Sequence, residues 1–510
     1  MNILSELTPQ AVWNFFENIC SIPHPPKHEI ALRNYIIEVA KEHGCSYETD
    51  DYGNLLVKKS AFVGFEDNKI VILQSHLDMV PQKDVDLEFD FETDKLKLEI
   101  ENNEFVTARG TTLGADNGVG VAAMLAIISD NKLKHGKLKF LFTVEEEIGL
   151  NGASNLASEF LEGDILINLD SEDEGEIFIG CAGGVRTDVE IPIDVQEVEI
   201  FDNDGIEITQ KFQLVVEGLH GGHSGCDIHL NLGNGLKIIS EIIWELINKF
   251  SGVKLRYLAG GTADNAIVRR AEAYLFCYRS EFDEIMEFIK LQNQKYRQLL
   301  GDLDKNIQIN LTKIAPRNDN KFASAYSDLF QEKLLTTLLN CPNGVINYHP
   351  YVSGIVETST NLAVVTADCL DKEPVNGENY KIKVTTSQRS SDDFALISLA
   401  KRLKIHFEQI KDSLVTHRSH YVGWNPNAHS QILETAKQSL KKTLNSQAKV
   451  MVIHAGLECG AFSENNPKLD MISIGPDIIS AHSPSEKVRI KSVENFYIWL
   501  QDILENIPKK

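Results

Sequence analysis

The chain has 510 residues, 43% hydrophobic and 24% charged, the composition of a folded globular protein with length for roughly two to four domains. Fifty Lys and Arg against 74 Asp and Glu leave a net charge of −24, which argues against nucleic-acid partners and against adhesion to an anionic membrane surface. No apolar run approaches the ~18 residues of a membrane span, the start MNILSELTPQ has no basic and apolar leader pattern, and eight cysteines without a CxxC pair read as reduced thiols; the compartment is read as cytoplasmic.

In chain order, residues 10 to 43 carry apolar side chains at three- and four-residue spacing and predict helix. Short apolar runs bounded by turn residues follow: NLLVKK, KIVILQSH, KLKFLFTV and GDILINLD. Between the second and third lies GVGVAAMLAIISD, apolar on most sides and therefore a buried helix. Strands alternating with helices predict an α/β domain with a largely parallel sheet.

The pattern changes near residue 187. VEIPIDVQEVEI and QKFQLVVEG alternate as strands do, and helix-like segments follow at 234–250, 281–303 and 325–340. This middle region reads as a separate α+β domain. Past residue 392 the α/β pattern returns, with SQILETAKQSLKKTL helical, KVMVIHAG and MISIGP strand-like, and SVENFYIWLQDILENI a closing amphipathic helix. The organisation expected is one catalytic domain, 1–186 and 399–510, interrupted by an inserted domain at 187–398.

Five acidic or histidine-containing spots punctuate this pattern, most of them at strand ends, where open α/β sheets place their sites. SHLDM offers His76 with Asp78 two residues on, a spacing that suits a metal ligand and its carboxylate orienter. TLGADNGVG places Asp116 at the start of the buried helix, where an acidic residue also serves as an N-cap. FTVEEEIG sets Glu145, Glu146 and Glu147 at the end of a buried strand, a cluster that needs cations or wide solvation. LINLDSEDEG ends another apolar strand on Asp170, and Glu172, Asp173 and Glu174 read as a solvated turn. SAHSPSEK carries His482 in a loop. Two histidines and three carboxylates suit hard-to-borderline divalent ions. HExxH, P-loop, GxSxG and GxGxxG motifs are absent from the chain.

The order HxD, GADNG, EEEIG, LD and HSP resembles the two-zinc metallopeptidase family that includes glutamate carboxypeptidase and aminoacylase. Further segments extend the resemblance over almost the whole chain, among them RGTTLGADNGVGVAAML, GLHGGHSGCDIHLNLGNG, GGTADNAI, IHAGLECG and SIGPDIISAHSPSEK. The stretch at about 300–350 carries no motif. The resemblance implies a zinc-peptidase catalytic domain with a central mixed, largely parallel sheet, interrupted by an α+β lid.

It also implies two divalent ions per subunit, Zn2+ first and Mn2+ or Co2+ as substitutes. His76 and Asp170 would hold one ion, Glu147 and His482 the other, and Asp116 would bridge them ahead of a cis Asp116–Asn117 bond. Asp78 would orient His76, and Glu146 would be the general base that activates water between the ions. In the lid, GLHGGHSG contains His220 and His223, and the resemblance points to His223 as donor to the oxyanion. Asn265 and Arg389 would contact substrate, and Gly456 would let backbone approach its carboxylate.

The activity implied is hydrolysis of unblocked dipeptides, including the aminoacyl-histidine type. An aminoacylase-like deacylase, a tripeptidase, or a catalytically silent peptide-binding protein on the same fold are the alternatives. Partners implied are a small peptide substrate and a second copy of the chain through the lid, with no nucleic acid and no membrane.

Overall fold

The computed structural model describes residues 3–315, 321–350, 352–370, 380–427 and 429–510. They form two compact units, Met1–Cys181 with Gly423–Lys510, and Ala182–Val422.

The first unit is built on an eight-stranded sheet in the order Ser46–Thr49, Leu55–Lys59, Leu138–Thr143, Val71–His76, Ile165–Asn168, Asp470–Ser473, Glu176–Cys181 and Lys449–Ile453. Four of its neighbouring pairs are parallel and three are antiparallel. The sheet is therefore mixed and largely parallel, as the α/β pattern predicts. Val71–His76 and Ile165–Asn168 are buried along their whole length, which explains why both read as continuous apolar runs rather than as alternating ones.

The helix Ala115–Ser129 is buried from Asn117 to Ile128. It packs on the helix Gln10–Cys20 and on the strand Val71–His76. Its small residues set that approach: a Cβ on Gly120 would lie 2.5 Å from Ser75 Oγ and 2.9 Å from the Leu169 carbonyl. Lys59 closes the far end, where Nζ donates to the carbonyls of Ile127, Ile128 and Asp130, a cation against the negative end of the helix.

A second, four-stranded sheet in this unit orders Ile478–Ile479, Lys487–Arg489, Phe105–Ala108 and Leu98–Glu101. It joins the loop that carries His482 to the strand that leads toward Asp116, although the two are far apart in sequence.

The second unit is α+β. Its main sheet has nine strands, all antiparallel, with Thr209–Glu217, Ala271–Tyr278, Lys254–Gly260, Val356–Ala367, Lys381–Ser390 and Gly183–Pro192 in its middle. The helices Gly235–Lys249, Phe282–Leu299, Asp328–Asn340 and Asp393–Phe407 share one apolar core with it. Asn234, Ser327 and Asp392 cap three of these helices through side-chain oxygens that accept backbone N–H groups.

The second junction falls at 422/423, not at 398/399. The helix Asp393–Phe407 and the strand Leu414–Tyr421 both pack against the strand Gly183–Pro192, so the residues that read as a return to the catalytic domain complete the inserted one. The first junction, at 181/182, lies within a few residues of the expected 186/187.

None of the eight cysteines is in a disulfide, and six of them are buried. Among the described residues no helix is long and apolar enough to cross a membrane.

Candidate metal centre

His76 ends the central strand Val71–His76 and is 1% exposed. Its Nδ1 lies 2.9 Å from the backbone carbonyl of Asp78 and 3.6 Å from the Asp78 carboxylate. Nδ1–H therefore donates to the carbonyl, which leaves Nε2 directed at Asp116 Oδ1, 3.0 Å away, and Asp170 Oδ1, 3.2 Å away. The imidazole thus meets the main-chain carbonyl of Asp78 first, with the Asp78 carboxylate further off. Oδ1 accepts the backbone N–H of Glu146 at 3.0 Å and Oδ2 that of Glu147 at 3.1 Å.

Asp116 presents one oxygen to each histidine, Oδ1 to His76 and Oδ2 to His482 at 3.1 Å. The same His482 Nε2 lies 3.1 Å from Glu147 Oε2. Asp170, just past the strand Ile165–Asn168, also accepts from Asn117 Nδ2. The Asp116–Asn117 bond is cis. Asp116 lies within the first turn of its helix with a non-helical backbone, and its carboxylate oxygens face the two histidines. The five side chains expected as ligands thus form one chain of contacts, Asp170–His76–Asp116–His482–Glu147.

The electrostatics of this cluster favour cations. Burial pushes the carboxyl of Asp170 up to about 6 against the pull of His76, and burial raises that of Glu147. Burial alone would lower His76, but Asp170, Asp116 and Asp78 outweigh it and raise it well above the ordinary histidine range. His482 is pushed up to about 11 by its hydrogen bonds to Asp116 and Glu147. Glu147 Oε1 is buried with no hydrogen-bond partner, and ligand atoms of His76, Asp116 and Glu147 lie within 4.8 Å of one another. Imidazole nitrogens and carboxylate oxygens in this arrangement fit divalent metal ions.

The three adjacent glutamates diverge. Glu145 takes a left-handed backbone, φ 53°, and its carboxylate accepts from Asn151 Nδ2 at 3.1 Å and Tyr52 Oη at 3.4 Å, outside the ligand cluster. Glu146 has His76, Asp170, Glu147 and Glu458 as its charged neighbours, and burial lifts its carboxyl well above the ordinary range. His482 too is left-handed, φ 63°, a conformation that costs a non-glycine residue roughly 1–2 kcal/mol and is tolerated where a site demands it.

The second unit assembles its own polar group. His223 pairs with Ala266 in a two-residue ribbon, and the Ser224 N–H donates to the Asn265 carbonyl at 2.8 Å, so His223 and Asn265 are neighbours. His223 Nδ1 accepts the backbone N–H groups of Gly225 and Cys226. Burial and the Arg389 charge lower its pKa, which favours the neutral ring. Arg389 Nη2 lies 3.4 Å from Nε2 and Nη1 donates to Tyr421 Oη at 3.1 Å. Arg389 Nε is buried with no partner. His220 is exposed, and its backbone N–H donates to Asp304. Gly456 belongs to the first unit, in the turn before the helix Glu458–Asn465.

Three further residues, to which the sequence reading gave no role, pack close to the residues named above. Tyr421 packs over Gly184, where a Cβ would meet the ring at 2.6 Å, and holds the Arg389 guanidinium. Glu458, fully buried, accepts from Gln74 and Thr143, and burial pushes its carboxyl up to about 8. Glu486, four residues after His482, is buried against the backbone before Asp116. A glutamate opening a helix after a strand, in HAGLECG, is the one signal that could have found Glu458; nothing periodic marks the other two.

Residues 72–506 match the profile of peptidase family M20/M25/M40. The chain is 38% identical over its full length, and over the full length of the relative, to the cytosol non-specific dipeptidase of Escherichia coli K12. Among solved structures it resembles the aminoacylhistidine dipeptidase of Vibrio alginolyticus, with a TM-score of 0.88, 38% identity and coverage of 99% of this chain and 98% of that one. The fold is shared more distantly with the aminopeptidase PepT of Bacillus cereus, with a TM-score of 0.59, 14% identity and coverage of 98% and 99%.

Proposed function

The chain belongs to peptidase family M20/M25/M40, and from that membership we propose a dinuclear metallopeptidase that hydrolyses unblocked dipeptides, aminoacyl-histidine dipeptides among them. It is a metal-dependent dipeptidase. The observation that carries this reading is the convergence of His76, Asp116, Glu147, Asp170 and His482 in a chain that matches a dipeptidase from end to end.

His76 and Asp170 would hold one divalent ion, Glu147 and His482 the other, and Asp116 both, since each of its oxygens already faces a different histidine. When bound, such ions polarise the scissile carbonyl and lower the pKa of water. Glu146 takes the proton of the attacking water and returns it to the leaving amine, a role supported by its buried, raised carboxyl. Asp78 holds the main chain of Glu146 and Glu147 in place for this work. His223 donates Nε2–H to the oxyanion, which its neutral, Nδ1-accepting state supports. Arg389 binds the substrate carboxylate through the planar fork that suits it, with Asn265 and the backbone of Gly456 as further contacts. Zn2+ is the ion proposed, with Mn2+ and Co2+ as substitutes. We place the enzyme in the cytoplasm as a homodimer formed through the inserted unit, whose surface carries Phe394 at 87% and Leu414 at 60% exposure.

A panel of dipeptides, tripeptides and N-acetyl amino acids, run on protein of measured metal content, tests the substrate reading. Free dipeptides should be turned over fastest, and blocking either terminus should slow the reaction sharply. Preference for N-acetyl amino acids would establish a deacylase instead, and preference for tripeptides a tripeptidase.

A further inference from the structure

The helix Ala115–Ser129 has no local side-chain cap; Gly114 precedes it with φ 67°. Asp116 and Asn117 depart from helical geometry, so the N–H groups of the segment entering the helix need acceptors outside it, and buried ones must find them. Here the acceptor comes from about 370 residues away. Glu486 is 1% exposed, and its carboxylate receives four consecutive N–H groups. Oε2 accepts from Leu113 at 2.7 Å and Gly114 at 3.0 Å, and Oε1 from Ala115 at 2.8 Å and Asp116 at 3.3 Å. Successive amides converging on one anion form a nest, and a buried carboxylate is tolerated only where it is satisfied in this way.

The position of Glu486 gives the nest its consequence. The residue closes the loop between Ile478–Ile479 and Lys487–Arg489 that carries His482, and Asp116 Oδ2 lies 3.1 Å from His482 Nε2. One side chain therefore ties the backbone of the two loops whose side chains meet. We propose that Glu486 is a positioning residue for the metal centre, holding Asp116 and His482 in ligating geometry before any ion arrives. This rests on the reading of Asp116 and His482 as ligands.

Glu486→Gln tests it. The carboxamide keeps one accepting oxygen and turns an NH2 group toward two of the N–H donors, so half of the nest is lost at almost constant volume. Chelator competition should show at least about a tenfold loss of affinity for one Zn2+, in the range of groups that hold metal ligands. With metal saturating, kcat should fall while KM stays within about threefold, because the substrate-binding groups are untouched. In metal-free protein the amides of 113–116 should exchange hydrogen slowly in wild type and faster in the variant. Wild-type Zn2+ affinity in Glu486→Gln would overturn the proposal. So would fast exchange of these amides in metal-free wild type, a measurement that stands even if the variant does not fold. Asp116→Ala is the companion: if it binds both ions normally, the ligand reading fails; if it loses metal while Glu486→Gln does not, only the role of Glu486 fails.

Discussion

The carboxylate of Asp78 accepts the backbone N–H of Glu146 at 3.0 Å. The same residue accepts from Glu147 N–H with its other oxygen and faces His76 Nδ1 with its main-chain carbonyl. His76, Glu146 and Glu147 are thus all held by one buried residue, and the hydrogen bond from His76 Nδ1–H goes to its main-chain carbonyl rather than to its side chain. Asp78→Asn should therefore keep metal while losing about 10- to 100-fold in kcat, the range for groups that orient catalytic side chains. Metal analysis and kcat decide it; a variant that loses metal first would return the carboxylate to His76.

Variants of the adjacent glutamates test the proposed division between base and ligand. Glu146→Ala should retain two ions and lose at least ~10²-fold in kcat, the lower range for a general base. Glu147→Ala should lose one ion, with activity that excess zinc restores poorly. Glu145→Ala should stay within about tenfold of wild type, since its carboxylate faces Asn151 and Tyr52. A dead Glu145 variant beside an active Glu146 variant would move the register by one residue.

Metal binding should release protons. His482 is pushed up to about 11 by Asp116 and Glu147, and His76 is raised well above its ordinary range, so both are protonated in the metal-free protein at neutral pH. Ligation needs them neutral, and each proton displaced opposes binding more strongly as pH falls. Apparent Zn2+ affinity should rise as pH increases from neutral toward the range where His482 loses its proton, and titration calorimetry in buffers of different ionisation enthalpy should register net proton release. Affinity independent of pH and of buffer would contradict the protonated resting state.

The polar group of the inserted unit should divide binding from chemistry. Arg389→Ala should raise KM strongly for dipeptides and barely affect a C-terminally amidated substrate; equal losses on both would remove the carboxylate role. His223→Ala should lower kcat far more than it weakens binding, since an oxyanion donor acts mainly in the transition state. Steady-state kinetics on the paired substrates measure both effects.

His76, Asp116, Glu147, Asp170 and His482 were legible in the sequence, most of them in short motifs at the ends of apolar runs. Buried strands ending in carboxylates carry a charge that a folded chain must compensate, and the parallel sheet gathers such ends in one place. The largely parallel sheet itself followed from alternation of strand and helix, and the buried helix from its lack of a polar face. The second junction did not, because Asp393–Phe407 and Leu414–Tyr421 have local patterns that suit either unit, and only pairing with Gly183–Pro192 assigns them. Nor did the work of Asp78, Tyr421, Glu458 and Glu486. Each satisfies a donor or holds a charge far away in the chain, Glu486 across about 370 residues, and hydrogen bonds of that kind leave no periodicity in the residues that make them. Residue type and strand ends pointed to the five candidate side chains; the partners that hold them were decided by which backbone N–H groups the fold left to be satisfied.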